Sequence, residues 1–507
     1  MKKLFAAILF YPLLSTAQLK VAKIFSDNML LQRDKPIKIW GKGIPGSSIS
    51  VLFSNTKRNT VVDNDSAWLV TFQKQKANTH PQSLLVASGA ERIELKNILI
   101  GDIWICTGQS NMEWPMVKEQ HWKDEKHNAN QSNIRLLNPP PAGRNVFGVP
   151  YTDSLIERLT AEKFYDWNGW QQCDSSSVKL MSAVAYYFAK KVYGKTGIPI
   201  GIVNLSIGGA PLETFIDKEA LKRSGQFSAK VNGDWMNNTT LPVWIRERGR
   251  QNVGTLQQVA ADENGKYHAY KPGMAYEAGI QPLLSMPIKG ILCYQGESNA
   301  QEIDRVNEYA ALSKLMIDDY RKKSQPAGQS GKQPQLPFYF VQLSSIDTMK
   351  YKGQLWPEFR NEQRKMLDLI PNSGMAVCSD IGAKDDVHPT NKKLVGERLA
   401  IWALSKSYNQ NIVPSGPLPL KATYSNGKLI ISFKCVAKGL KTSDGKLPRG
   451  FSTDGKNDVM ANFGDSGIVI SLSIKPQYIY YGWKPFSDGN LVNSEDLPAS
   501  TFKIKVQ

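Results

Sequence analysis

Four short blocks of this chain hold the residue types that an acyl transfer needs. Ser110 follows the apolar run Ile103–Cys106 and the break Thr107-Gly108-Gln109. A serine just past a buried strand end shows its hydroxyl and its backbone N–H at the sheet edge, where a nearby base makes it a nucleophile. The same position also suits a helix cap, so the remaining blocks have to decide between the two. Gly208-Gly209 follow the apolar run Ile200–Leu205, Gln295 to Asn299 follow Ile288–Tyr294, and His388 follows Met375–Ile381 after the pair Asp385-Asp386. In a serine mechanism Ser110 attacks and His388 is the base that takes and returns its proton. Asp385 or Asp386 orients the imidazole. The Ser110 N–H, a Gly208 or Gly209 N–H and the Asn299 amide form the expected oxyanion hole, each donor worth about 10²–10³ in rate. Gln109 and Gln295 are expected to hold loop geometry, and Glu297 to bond the catalytic groups from behind. No metal site is expected, because histidines and acids do not cluster at ligand spacing, and no cofactor is called for.

These groups work together only if the strands end on one edge. Between residues 98 and 410, strand-like runs alternate with helical periodicity, which is the pattern of an α/β sheet. Ligands of such sheets bind beyond the carboxyl ends of the strands. One helix is expected with Met181, Ala185, Phe188 and Val192 on one face, ended by Gly194 and Gly197-Ile198-Pro199, and another with Tyr309, Leu312, Met316 and Tyr320. Pro389 suits the first position of a third, running through Val395, Leu399 and Trp402. Segments 115–175 and 220–275 lack a clear period and read as insertions, the first lying over the active face. Ser324–Pro337 reads as a loop. Residues 18–97 alternate with period two, and Asp63 to Ser66 between Val61-Val62 and Trp68–Phe72 looks like a hairpin turn. Residues 411–507 return to β, with Asn426-Gly427 as a strong hairpin signal.

The chain has 507 residues, enough for several domains, and a net charge of +18. Its Lys and Arg are scattered, with no basic stripe interleaved with aromatics, so a nucleic-acid partner is not expected. A basic surface favours anionic substrates such as acidic sugars. Residues 1–17 read as a secretory signal peptide, with Lys2-Lys3, a short apolar stretch, and Ser15 and Ala17 before the cut. Export to the periplasm or the outside follows, with no membrane-spanning segment after removal of the signal. Cys106, Cys293 and Cys378 sit in apolar runs and read as small buried hydrophobes.

The blocks GQSNMEWPM at 108–116, NLSIGGAPLE at 204–213, YQGESNA at 294–300 and DVHPTNKKLVGERLA at 386–400 resemble the sialate O-acetylesterase group of the SGNH (GDSL-like) hydrolase superfamily. Asn28 to Arg33 resembles that group's opening block, and Tyr480–Phe502 its closing β segment. One departure is Phe215, where the group carries Trp. The resemblance implies a flavodoxin-like three-layer α/β core at 98–410, between β-sandwich-like domains at 18–97 and 411–507. It implies a carboxylic ester hydrolase that removes O-acetyl groups from sugars, with 9-O-acetylated sialic acids the foremost substrates. An acetylxylan or other polysaccharide acetylesterase is the alternative within the class. A catalytically inactive carbohydrate-binding protein is the alternative outside it. The general superfamily spacing D-x-x-H selects Asp385, while the D-[IV]-H-P form of the group selects Asp386.

Overall fold

The computed structural model describes residues 18–325, 335–347 and 353–507. The leader at 1–17 and most of the loop expected at 324–337 lie outside these residues.

The central feature is a single strand of 18 residues, β1 (Glu91–Gly108). Its first half pairs antiparallel with Asn78–Ser88 in the N-terminal region. Leu99–Gly101 then pair in parallel with Leu30–Gln32, and the last residues enter the central sheet. The boundary expected at 97/98 therefore falls inside a continuous strand. Asn97 marks it with φ 58°, a left-handed bend that Asn accommodates better than most residues. Its side chain is tied down, donating to Asn28 Oδ1 (2.6 Å) and accepting from Arg135 Nη2 (3.0 Å). The block Asn28–Arg33 has a structural use here. The Gln32 amide bonds both the Asp102 carboxylate and the Ile103 N–H, and Arg33 pairs with Asp102.

The other central strands are β2 (Gln131–Leu137), β3 (Ile200–Asn204), β4 (Gly290–Tyr294), β5 (Phe338–Gln342) and β6 (Ser373–Val377). They lie in the order β2-β3-β1-β4-β5-β6, all parallel. Every residue of β3, β4 and β5 is buried, as expected of parallel strands covered on both faces. The sheet grows from β1 first to one side (β3) and later to the other (β4). Such a switch point is where open α/β sheets place their ligands. The segment at 115–175 is thus more than an insertion, because it supplies β2 and the short antiparallel strand Gln171–Cys173 that borders it. The polar start of β2, Gln131-Ser132-Asn133, hides it from a search for apolar runs.

Five helices matter for the site. They are α1 (Ser110–Glu113), α2 (Ala183–Thr196), α3 (Ile303–Lys323), α4 (Trp356–Leu369) and α5 (Lys392–Lys406). Helix α2 starts at the Ser182 cap, two residues later than its apolar face implies, and ends at Gly197. Helix α5 begins three residues after Pro389, because Asn391 caps it by accepting from the Leu394 N–H. Among the described residues no helix is long and apolar enough to cross a membrane.

The strands at 56–61 and 67–72 do not form the expected hairpin. Thr56–Val61 pairs with Ser48–Phe53, and Ala67–Phe72 with Ile37–Lys42 in a different sheet. Asp63 caps its own turn by accepting from the N–H groups of Asp65 and Ala67. In the C-terminal region Leu418–Ser425 and Lys428–Lys434 do pair, with Asn426 and Gly427 both at positive φ as a two-residue turn requires. That region packs its own apolar core around Ile431, Ile468, Phe451 and Phe502. Arg360 of α4, fully buried, fastens it to the central unit by donating to the carbonyls of Gly482 (3.0 Å), Pro485 (3.1 Å) and Lys484. All five cysteines are free thiols and four are buried.

Candidate active site

Ser110 is the first residue of α1 rather than its cap, which is Gln109. The chain turns sharply out of β1 at Gly108, whose φ is +130° and where a Cβ would sit 2.0 Å from the Tyr294 carbonyl oxygen. Only glycine fits both constraints. Ser110 Oγ lies 2.8 Å from His388 Nε2. His388 Nδ1 lies 3.3 Å from Asp386 Oδ1, which also accepts from the His388 backbone N–H at 2.9 Å. Asp385 is exposed and makes no recorded contact with the imidazole, so of the two acids the fold brings Asp386 to His388. Trp114 stacks on the imidazole, with ring centroids 5.3 Å apart at 21°. Burial lowers the His388 pKa first. Asp386 opposes that shift, while the Lys392 and Lys118 charges reinforce it.

A sealed polar layer lies beneath this pair. Asn111 donates to the Val387 carbonyl at 2.9 Å, and so ties the residue after Ser110 to the residue before His388. The same amide donates to Glu297 and accepts from Lys392 Nζ. Burial pushes the Glu297 carboxyl up to about 7 and the Lys392 ammonium down to about 7. Asn111 and Lys392 are fully buried. Gln109 Oε1 accepts from Gln295 Nε2 (3.2 Å) and from the Ser298 N–H (3.2 Å), which locks the two strand-end loops together. Lys392 was invisible in the sequence. It stands in the polar run Asn391-Lys392-Lys393, which reads as solvated, although it lies one helical turn beyond His388.

The expected oxyanion donors separate. Ser110 N–H is in the first turn of α1 and has no recorded backbone acceptor among the described residues. Gly209 N–H likewise has none, and its loop is held from behind. Trp244 Nε1 and Ser298 Oγ both donate to the Gly209 carbonyl, and Tyr270 Oη donates to that of Gly208. Gly208 N–H bonds the Glu113 carboxylate, which is itself paired with Arg144 at 2.6 Å. Asn299 turns one of its two amide N–H groups to a buried carboxylate. It is fully buried, its Nδ2 donates to Glu213 at 3.0 Å, and its Oδ1 accepts from Leu212 N–H and Gln295. Glu213 needs that bond because it is buried against Lys230. His268 is also internal, stacked against Tyr151 and Trp235. Beyond Arg144 a polar cleft of about 490 Å³ is lined by Asn138, Asn168, Gln171 and Gln172.

Residues 263–405 match the family described as carbohydrate esterase, sialic acid-specific acetylesterase. The sialate O-acetylesterase of Homo sapiens is 26% identical, over 79% of this chain and 74% of its own length. That of Mus musculus is 27% identical, over 82% of this chain and 79% of its own. A solved carbohydrate acetylesterase from Xanthomonas citri superposes with a TM-score of 0.77 at 27% identity, over 96% of this chain and 99% of that one. The chain is a carboxylic ester hydrolase. Within that class it is sialate O-acetylesterase-like.

Proposed function

We propose that this protein is an exported serine esterase of the SGNH type that removes acetyl groups from sugar hydroxyls, with 9-O-acetylated sialic acids its foremost substrates. The observation that carries the serine mechanism is the 2.8 Å contact between Ser110 Oγ and His388 Nε2 at the switch point of the sheet. His388 Nε2 takes the hydroxyl proton as Oγ attacks the acetyl carbonyl carbon. The oxyanion that forms is met by the Ser110 and Gly209 N–H groups. The C–O bond to the sugar breaks, His388 returns the proton to the leaving alcohol, and the acetyl group stays on Ser110. Water then attacks the acetyl-enzyme with His388 again as base, and acetate leaves. Asp386 keeps the Nδ1 proton in place so that Nε2 faces the serine. A pKa below the ordinary histidine value leaves the imidazole neutral, and able to act as base, at neutral pH.

Acetate release from 9-O-acetylated N-acetylneuraminic acid and from acetylated xylan, by the wild type and Ser110→Ala, tests both parts. Release from the sialic acid that disappears in the variant is expected. Undiminished release by the variant removes the serine mechanism, and activity on xylan alone removes the sialic acid assignment.

A further inference from the structure

Arg248 differs from two cations that are held by carboxylates. Arg144 is paired with Glu113, and Lys271 with Asp262. Arg248 forms no ion pair with any carboxylate among the described residues, and its Nε and one Nη are buried without an acceptor. Its guanidinium carbon lies 4.6 Å from the centroid of Trp244 and 5.3 Å from that of Phe147. Both rings touch the oxyanion loop. Trp244 Nε1 donates to the Gly209 carbonyl at 3.3 Å, and Phe147 Cζ is 3.7 Å from where a Cβ on Gly208 would stand. Phe147 is 49% exposed, so an aromatic face is held open beside the loop. His268 adds no second positive charge beside Arg248. Burial, and then the Arg248 charge, hold His268 down to about 3, so it stays neutral.

A guanidinium packed against aromatic rings offers a ligand its N–H groups, and these lie along its in-plane edge. That edge has the spacing of two parallel hydrogen bonds to a carboxylate. Buried N–H groups without an acceptor are costly, and a substrate that carries the acceptor removes the cost. We infer that Arg248, packed against Trp244 and Phe147, is a subsite for the carboxylate of an acidic O-acetylated sugar, placed so that an ester elsewhere on the same sugar reaches Ser110. This inference rests on the esterase reading above and adds the residue that makes the substrate acidic.

The test compares kcat/KM for 9-O-acetylated N-acetylneuraminic acid with that for its carboxyl methyl ester. A second arm compares O-acetylated galacturonic acid with its methyl ester, which separates the two sources of a sugar carboxylate. The wild type is expected to prefer at least one free acid over its ester by about 10- to 100-fold, the worth of a hydrogen-bonded charge pair. Arg248→Gln is expected to lose that preference, and Arg248→Lys to keep part of it, because lysine retains the charge without the planar fork. Preference in only one arm names the sugar. Equal rates on acid and ester in both arms, or a preference that survives Arg248→Gln, overturn the inference and leave the esterase standing. If Arg248→Gln lowers acid and ester alike, the residue is only a pillar for the loop and the inference also falls. Acetate release from none of the four substrates overturns the esterase reading itself, and this inference with it.

Discussion

Two polar layers meet at the end of the central sheet, and they are built in opposite ways. The outer layer of Ser110, His388 and Asp386 is open to solvent, and its acid sits in an exposed turn. The inner layer of Asn111, Glu297, Lys392, Gln109 and Gln295 is buried and tightly cross-bonded. In the mechanism proposed above the outer groups do chemistry, and the inner ones fix where that chemistry happens. A buried charged group tolerates little displacement, since it loses its bonds in a low-dielectric interior. The inner layer is therefore a stiffer reference for the Ser110–His388 distance than the exposed acid.

The largest expected effect is in the outer layer. Ser110→Ala should lower kcat by about 10⁴-fold or more without changing the melting temperature appreciably. An unchanged kcat would break the comparison at its root. Next comes the inner layer, where Asn111→Ala removes the bonds to Val387, Glu297 and Lys392 together. It should cost about 3–5 kcal/mol in urea unfolding, as expected when a buried charged network loses a member, and lower kcat as well. If stability is unaffected, the inner layer is not the reference proposed here. Asp386→Asn should cost about 10²-fold in kcat, short of the ~10⁴ that a buried triad aspartate supplies. Its pH profile gives a second reading. Activity needs neutral His388 and is lost as pH falls through its pKa. The Asp386 charge raises that pKa and the Lys392 charge lowers it. Asp386→Asn should thus move the acid limb of kcat/KM to lower pH, and Lys392→Met to higher pH. Shifts in the same direction would show that the two layers do not bear on His388 separately. The smallest effect belongs to Asp385→Asn, for which kcat should stay within about twofold, as for a surface change that touches nothing. A larger loss would move the acid to Asp385.

What could be read from the sequence follows the same division. Ser110, His388 and the glycine pair stand at strand ends, where apolar runs stop at polar or glycine residues, and local pattern suffices for that. The choice between Asp385 and Asp386 depends on the turn, since Asp386 first binds the His388 N–H and is thereby brought against Nδ1. Asn299 also stands at a strand end, but one of its amide N–H groups is turned to Glu213. The need of Glu213 arises from Lys230, in a stretch with no periodicity. Lys392 reads as surface because nothing local records that α5 buries it against Trp114 and Tyr294. Arg248 is equally silent, because its meaning lies in the partners it lacks.

The bend at Asn97 has a further consequence. Side chains alternate along a strand, so one residue more or less reverses which face each position serves. Asn97 lies within the N-terminal pairing of β1, ahead of the stretch that leads to Ser110, and its side chain is clamped to Asn28 and Arg135. It therefore works as a phase-setting joint. During synthesis the N-terminal sheet emerges first and can fold as a unit. It then offers Asp102–Cys106 as an edge whose inward and outward faces are already decided, and β3 and β4 dock onto it in turn. Ser110 can thus be aimed by a pairing made before most of its partners have been translated.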